Sequence, residues 1–463
     1  MQLNGLSLAI TNILGGRFNP LTWFAAGEQG AWYDPSVLTT LFQDSAGTTP
    51  VTAVEQPVGL MRDKSGRGNH AFQATAGNRP ILSARVNILT YSQTFASPWA
   101  NIRSTVPPSM IPAPDGTISG VLFTESSSAG TQFITPVGGG IVASSAGTYT
   151  FSVYGKNNGR YLTLAGNNGI SNYISVIFDL SLGTYYQYQS GGQIINSVSC
   201  TQIGSTGWYR CVVTATFTAA SGINIAGSNV TTVPTGGYGL PTYTGDGVSG
   251  FYLWGADLRP TNAGALLPPY QRVNTDTDYD SVGFPLYLKC NGTSSAMQTN
   301  SIDFTATDKM TVVTGVRKLS DTTNQNVFEM GNTLPAGGFN LYAPNTLNSP
   351  SYSAYVNAGN VSLINSSNSY PAPISNVVSL LVNNSGVSPN QQLLRVNAVG
   401  SGTQSATLSG NFTNIPLFLF SRASTSSFLN GQFYGAIIRG AQSDAASVTQ
   451  TENYMAQKTG ITF

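Results

Sequence analysis

Residues 147–156 read GTYTFSVYGK, with a glycine to open the run and apolar side chains at every second position after it. A period of two is that of a strand with one face toward a core and the other toward water. The same pattern recurs in both directions from this stretch, as RYLTLAGN at 160–167, YISVIFDL at 173–180, WYRCVVTATF at 208–217, KMTVVTGVRK at 309–318 and QFYGAIIRG at 432–440. Gly, Asn, Ser or Pro cuts off each run, and many short strands between turn signals predict a sandwich or barrel. One stretch departs from the pattern, SDAASVTQTENYMAQKTG at 443–460. There Ser443 or Asp444 can cap a helix, Val448, Thr451 and Met455 share a face, Lys458 suits the last turn, and Gly460 stands just past the end. The chain is therefore expected to be all-β with a single C-terminal helix.

With 463 residues the chain is too long for one ordinary domain, and at 41% hydrophobic it can bury sizeable cores. Only 8% of residues are charged, against about 25% in an average soluble protein. Twenty Lys and Arg face 19 Asp and Glu for a net charge of +1, which supplies no field to gather nucleic acid or an anionic membrane. No apolar run approaches the ~18 residues needed to span a bilayer. The opening MQLNGLSLAITNILGG has no basic n-region and does not read as a secretion signal. Three cysteines do not make a disulfide framework. Cys200 and Cys211 flank TQIGSTGWYR and either face each other across a hairpin or stay as two reduced, buried thiols. Synthesis in a cytoplasm is the expectation.

Residues 86–273, from NILTYSQTFASPWANI to FYLWGADLRPTNAGALLPPYQRV, read as a complete sandwich with its own beginning and end. Residues 28–85 hold too few strands to stand alone, and residues 274–463 look like a sandwich that lacks its first strand. An insertion of the middle segment into an outer sandwich accounts for both. Residues 1–27 lie outside either unit and carry Leu, Ile, Phe and Trp with only one charge, Arg17. Such a segment would expose apolar side chains if left alone, so it is expected to dock on another subunit.

The one histidine, His70, falls in GLMRDKSGRGNHAFQATAGNRPIL at 59–82. GRGN lacks the spacing of a phosphate loop and no helix follows it. A structural turn fits better: Asp63 accepts backbone N–H groups, Gly66 and Gly68 take positive φ, and Asn69 tolerates the left-handed region. One histidine also removes Ser-His-Asp chemistry, and with three scattered cysteines it gives no zinc spacing.

DKSGRGNHA at 63–71, YLKCNG at 287–292, DFTATDKMTVVTGVRK at 303–318, LLRVNAVG at 393–400 and FLNGQFYGAIIRGAQS at 428–443 come in that order before the terminal helix. Together they resemble the laminin-G-like, concanavalin-type jelly rolls of bacteriophage tail and appendage proteins. Within the insert, GTYTFSVYGK, FDLSLGT, GWYRCVVTATF and YLWGADLRP resemble the jelly roll of carbohydrate-binding modules. The two resemblances cover roughly residues 24–463. They imply two jelly-roll β-sandwiches, one inserted into the other, in a virion structural protein such as a tail fibre, spike or surface appendage. Its implied role is to hold host cell-surface polysaccharide without enzymatic activity, docked to other virion proteins through its N-terminal segment, as a homo-oligomer with a trimer favoured. A purely structural joint or capsid decoration protein is the alternative, and a polysaccharide-degrading enzyme using paired carboxylates is the third. Where the family usually has an aromatic residue and an acid, this chain has Cys290 and Asn291, which weakens any calcium site carried over.

Sugar rings stack on aromatic faces while polar groups take their hydroxyls. In LGTYYQYQSGG, alternation puts Tyr186 and Tyr188 on one face and Tyr185 with Gln187 and Gln189 on the other, the wetter one. TGGYGLPTYTGDG sets Tyr238 and Tyr243 with Asp246 in a glycine-rich loop. Tyr185, Tyr238, Tyr243 and Asp246 are thus the candidate glycan-binding residues, whereas Trp208 and Trp254 read as core. In NTDTDYDS, Asp276, Asp278 and Asp280 alternate and are candidates for a weak calcium site, the one cofactor considered. The segment fails as an EF-hand, because Ser281 replaces the glycine and Tyr287 the final glutamate.

Overall fold

A computed structural model describes residues 18–95, 97–107, 110–136, 141–143, 145–261, 270–401 and 404–463. The chain is two jelly-roll β-sandwiches, one inserted into the other, and Ala445–Thr459 is the one α-helix among the described residues.

The outer sandwich is built from both ends of the chain. Its first sheet runs, in spatial order, Val399–Ser401, Gln392–Val396, Ile374–Asn383, Lys309–Lys318, Asn430–Arg439, Tyr287–Asn291 and Ile81–Ser83. Gly30–Tyr33 pairs with the same edge of Asn430–Arg439 that Tyr287–Asn291 occupies farther along. The second sheet takes Leu41–Phe42, Leu60–Met61 and Ala71–Phe72 from the early segment and continues through Met297–Asp303 to Asn360–Asn365. Between the sheets lies one apolar core that includes Tyr33, Met61, Leu82, Val312, Phe328 and Phe433. Burial of such side chains stabilises the fold by about 1.5–3 kcal/mol each.

The basic loop of residues 63–70 is architecture. Asp63 accepts from the backbone N–H groups of Trp32, Ser65 and Asn69 and from the Ser65 hydroxyl, at 2.7–3.1 Å. Gly66 and Gly68 have φ of +80° and +79°, where an L side chain is strained. His70 Nδ1 accepts from the Asp63 N–H at 3.0 Å. The turn thus delivers Ala71–Phe72 into the second sheet and pins Gly30–Tyr33 into the first.

Asp444 caps the helix by accepting from Ser447 N–H at 2.8 Å, and Gly460 closes it with φ +68°. Val448, Thr451 and Met455 are buried, as their shared face requires. Met455 and Ala456 lie against Val313, Val377 and Ile437 on the outer face of the first sheet. Residues 1–17 of the segment expected to dock elsewhere lie outside the described residues. In its remainder, Phe18, Trp23 and Phe24 pack with Trp32, Tyr454 and Met455 of the chain itself. The aromatic cluster beside the helix covers these three rings, while Leu21 stays 45% exposed.

Among the described residues, strands between Ala100 and Pro260 form the insert's two seven-stranded sheets and a two-stranded ribbon of Ala129–Thr131 with Thr242–Thr244, and no sheet mixes them with outer strands. Its core, with Phe123, Phe151, Leu164, Phe178, Val213 and Ile225, is separate from the outer one. The chain enters and leaves the insert side by side. Gln271 Oε1 accepts from the Val86 and Asn87 N–H groups at 2.8 and 2.9 Å, and the Asn87 side chain donates to the Gln271 carbonyl at 3.0 Å.

Candidate functional site

One sheet of the insert runs Thr184–Gln189, Asn172–Asp179, Tyr161–Gly169, Ser221–Ser228, Phe133–Thr135 and Ala100–Ile102. Leu162, Leu164, Ile223 and Ile225 point into the core. Alternation then turns Ala165, Asn167, Asn224 and Ala226 to the outer face, where Ala165 is paired with Asn224.

The loop between Ser228 and Gly250 folds back over that outer face. Leu240 packs on Ala165, Ala226 and Phe133, and the Tyr238 N–H donates to the Ile170 carbonyl at 2.9 Å. Tyr238 itself is held at φ +66°, ψ +17°, and its ring stays 45% exposed. Beneath it is a groove of about 560 Å³ whose lining includes Tyr238, Asn167, Asn224, Ile102, Phe133 and Thr135. The side-chain amides of Asn167 and Asn224 make no hydrogen bond within the described residues, although Asn224 is 7% exposed. Asn168, beside them, donates to the Thr218 hydroxyl at 3.1 Å. The groove thus combines an aromatic face, an apolar floor and amides that can both donate and accept, the set a sugar ring requires.

Tyr243 and Asp246 do a different job from the one their sequence context suggests. Tyr243 is buried, and its hydroxyl donates to Glu125 at 2.6 Å. Burial, and then the Glu125 carboxylate, push that hydroxyl well above its ordinary pKa. Glu125 also takes both arms of Arg160 and the Asp246 N–H. Asp246 accepts from Val248 and Ser249 N–H and from the Ser249 hydroxyl, and pairs with Arg160 at 3.0 Å. These bonds, that from the Ser249 hydroxyl first, hold its carboxyl well below the usual carboxylate range. Tyr243 presents no free face to a ligand, whereas the Asp246 carboxylate stays 47% exposed at the rim of the loop. Both lock the base of the loop that displays Tyr238, and they do so because a buried carboxylate needs every lone pair occupied.

Tyr185 is not brought to the groove. It lies on the edge strand opposite Phe178, 6.2 Å between ring centroids, on the core side of the sheet at its rim. Tyr188, on the other face, donates its hydroxyl to the Thr231 carbonyl and so supports the loop. Asn167 and Asn224 were not singled out in the sequence, because an amide on alternate strand positions reads as an ordinary solvated face. The doubled amide in GNNG, residues 166–169, was a signal for Asn167 alone, and Asn224 carries none.

The three aspartates do not converge. Asp276 pairs with Arg85, while Asp278 and Asp280 share Arg272 at 3.0 and 3.2 Å. The strands Val273–Thr275 and Asp278–Tyr279 form a tight hairpin whose acids each meet an arginine. Among the described residues no group of three or more His, Cys, Asp or Glu is placed to hold a metal. Asp276 also borders a cleft of about 690 Å³ between the lobes, where Glu55 is likewise held, by Lys289 at 2.8 Å. Trp208 and Trp254 are 1% and 5% exposed, as core packing requires.

No protein-family model matches the chain, and no curated protein matches it. Among solved structures, the Ruminococcus gnavus IT-sialidase CBM40 bound to alpha2,3 sialyllactose is 14% identical, with a TM-score of 0.27, over 34% of this chain and 97% of that one. Mouse laminin alpha1 domains LG4-5 are 10% identical, TM-score 0.24, over 67% and 85%. Trypanosoma rangeli sialidase in complex with sialic acid is 9% identical, TM-score 0.27, over 90% and 75%. Overlaps at this level do not distinguish one sandwich function from another, because a shared architecture hosts many sites.

Proposed function

We propose that the protein binds carbohydrate through the groove beneath Tyr238, and that it serves as a bacteriophage virion appendage that holds host cell-surface glycan. The observation that carries the binding is the pairing of an exposed tyrosine with the two amides of Asn167 and Asn224, which have no protein partner. Both amides line the open groove, so sugar hydroxyls would take the place of water on their donors and acceptors. The virion role rests on the laminin-G-like resemblance in the sequence, with its low charge and all-β composition. In this reading the chain binds and does not cleave, resides in the virion, and works as an oligomer.

The test is a glycan array and whole-cell binding with the full chain and with Tyr238→Ala. Binding to a defined set of glycans that Tyr238→Ala abolishes supports the reading. Equal binding by both proteins removes the groove from it, and binding to no glycan or cell leaves the joint or decoration role. Release of reducing ends from host capsule would establish the enzymatic alternative.

A further inference from the structure

Cys200 and Cys211 stand directly opposite each other on the hairpin of strands Ile194–Gln202 and Trp208–Phe217. The turn decides what kind of pair they form. Ile203 N–H donates to the Trp208 carbonyl at 2.8 Å, so 203 and 208 are a hydrogen-bonded pair. Pair types alternate along an antiparallel ladder. Counting back through 202/209 and 201/210 makes 200/211 a non-hydrogen-bonded pair. The Cα atoms of such a pair lie about 4.5 Å apart, inside the range of about 4.4–6.8 Å that a disulfide spans.

Opposed residues share a face, and here it is the core side: Cys211 is fully buried, and half-buried Cys200 packs against the same cluster. All three cysteines are free thiols. Ile194–Gln202 is the outermost strand of its sheet, held along one side only. Cys290 differs from the pair. It is buried in the outer core, where desolvation raises its thiol pKa, and no cysteine faces it.

We propose that Cys200 and Cys211 form a cross-strand disulfide when the protein meets oxidising surroundings, stapling the edge strand to its neighbour. The reaction is exchange with a small-molecule disulfide such as oxidised glutathione. The Cys200 thiolate, the more exposed of the two, attacks one glutathione sulfur; the S–S bond breaks and one glutathione leaves as a thiolate that takes up a proton. Cys211 then loses its proton to water and attacks the Cys200 sulfur, expelling the second glutathione. Two protein thiols are oxidised and one glutathione disulfide is reduced to two thiols, so electrons and protons balance. The hydrogen bond from Cys211 favours the Cys200 thiolate, which fits Cys200 as the attacking group.

The full chain incubated with oxidised glutathione and mapped by mass spectrometry without reduction tests this. The expected result is a linked peptide pair carrying Cys200 and Cys211, the loss of two hydrogen masses, and Cys290 still free. Cys211→Ser should retain one glutathione on Cys200, which the wild type resolves. The oxidised wild type should also melt at a higher temperature, and dithiothreitol should reverse the shift. A wild type that keeps three free thiols, or keeps glutathione on Cys200 without a link, overturns the disulfide. A linked protein with an unchanged melting temperature overturns the staple. The wild-type map decides the question even where a serine variant fails to fold.

Discussion

Glu125 and Arg160 meet as a bidentate pair, with Nε donating at 2.8 Å and Nη2 at 2.6 Å to a carboxylate that has no exposed surface. Removing one partner of a buried pair leaves an uncompensated charge and costs about 3–5 kcal/mol. Arg160→Ala is therefore expected to lose about 3 kcal/mol in urea unfolding and to open the 228–250 loop to proteolysis. A loss under about 1 kcal/mol would mean that water replaces the guanidinium and that the network does not anchor the loop.

Tyr238 and Tyr243, five residues apart in one loop, are expected to separate in a binding assay. Tyr238 is 45% exposed and its hydroxyl makes no hydrogen bond among the described residues, so Tyr238→Ala should change stability by no more than about 0.5 kcal/mol. Its affinity for glycan should fall at least about tenfold, which is 1.4 kcal/mol. Tyr243→Phe removes the bond to buried Glu125 and should lose about 1 kcal/mol of stability with weaker effect on binding. The reverse order of effects would place the ligand at Tyr243.

Acid should release the helix from the first outer sheet. Burial alone would raise the Asp34 carboxyl, but Lys458, Ser36 and Lys64 hold it down at about 2. A depressed carboxyl contributes stability above its unfolded value, and loses it as pH falls through the folded value. Between about pH 4 and pH 2 this contribution, about 2 kcal/mol, is expected to disappear. Asp34→Asn should lack that part of the acid transition, followed by circular dichroism. An identical acid profile for the two proteins would assign the transition to other carboxylates.

The insert and the outer sandwich have separate cores, and the two strands of chain that join them are bridged by Gln271. Replacing residues 86–273 with a short Gly-Ser linker is expected to leave a cooperatively folding outer sandwich, and the excised segment is expected to fold alone. Calorimetry of both pieces checks this. If neither shows a cooperative transition, the boundaries at 86 and 273 are wrong.

The all-β class, the terminal helix with its Asp444 and Gly460 ends, and the role of the 63–70 turn were legible in the sequence. Each depends on local chemistry: a period of two, a capping side chain, a glycine where φ is positive. Asp63 accepts backbone N–H groups whatever strand supplies them, so its role could be read before the donor Trp32 was known.

The candidate site was legible only in part, because a binding surface is defined by what remains uncovered after folding. TGGYGLPTYTGDG announces a loop with two tyrosines, yet nothing local says which ring faces water. Tertiary structure decided that through Glu125, distant in sequence, which draws the Tyr243 hydroxyl inward and ties down the Asp246 N–H by offering a buried negative charge to satisfy. It likewise dispersed Asp276, Asp278 and Asp280 onto Arg85 and Arg272, and placed Asn167 and Asn224 on adjacent strands whose shared face no local pattern marks as a site. Short-range periodicity determines which elements form, whereas long-range pairing of charges and amides determines which side chains are left for a ligand.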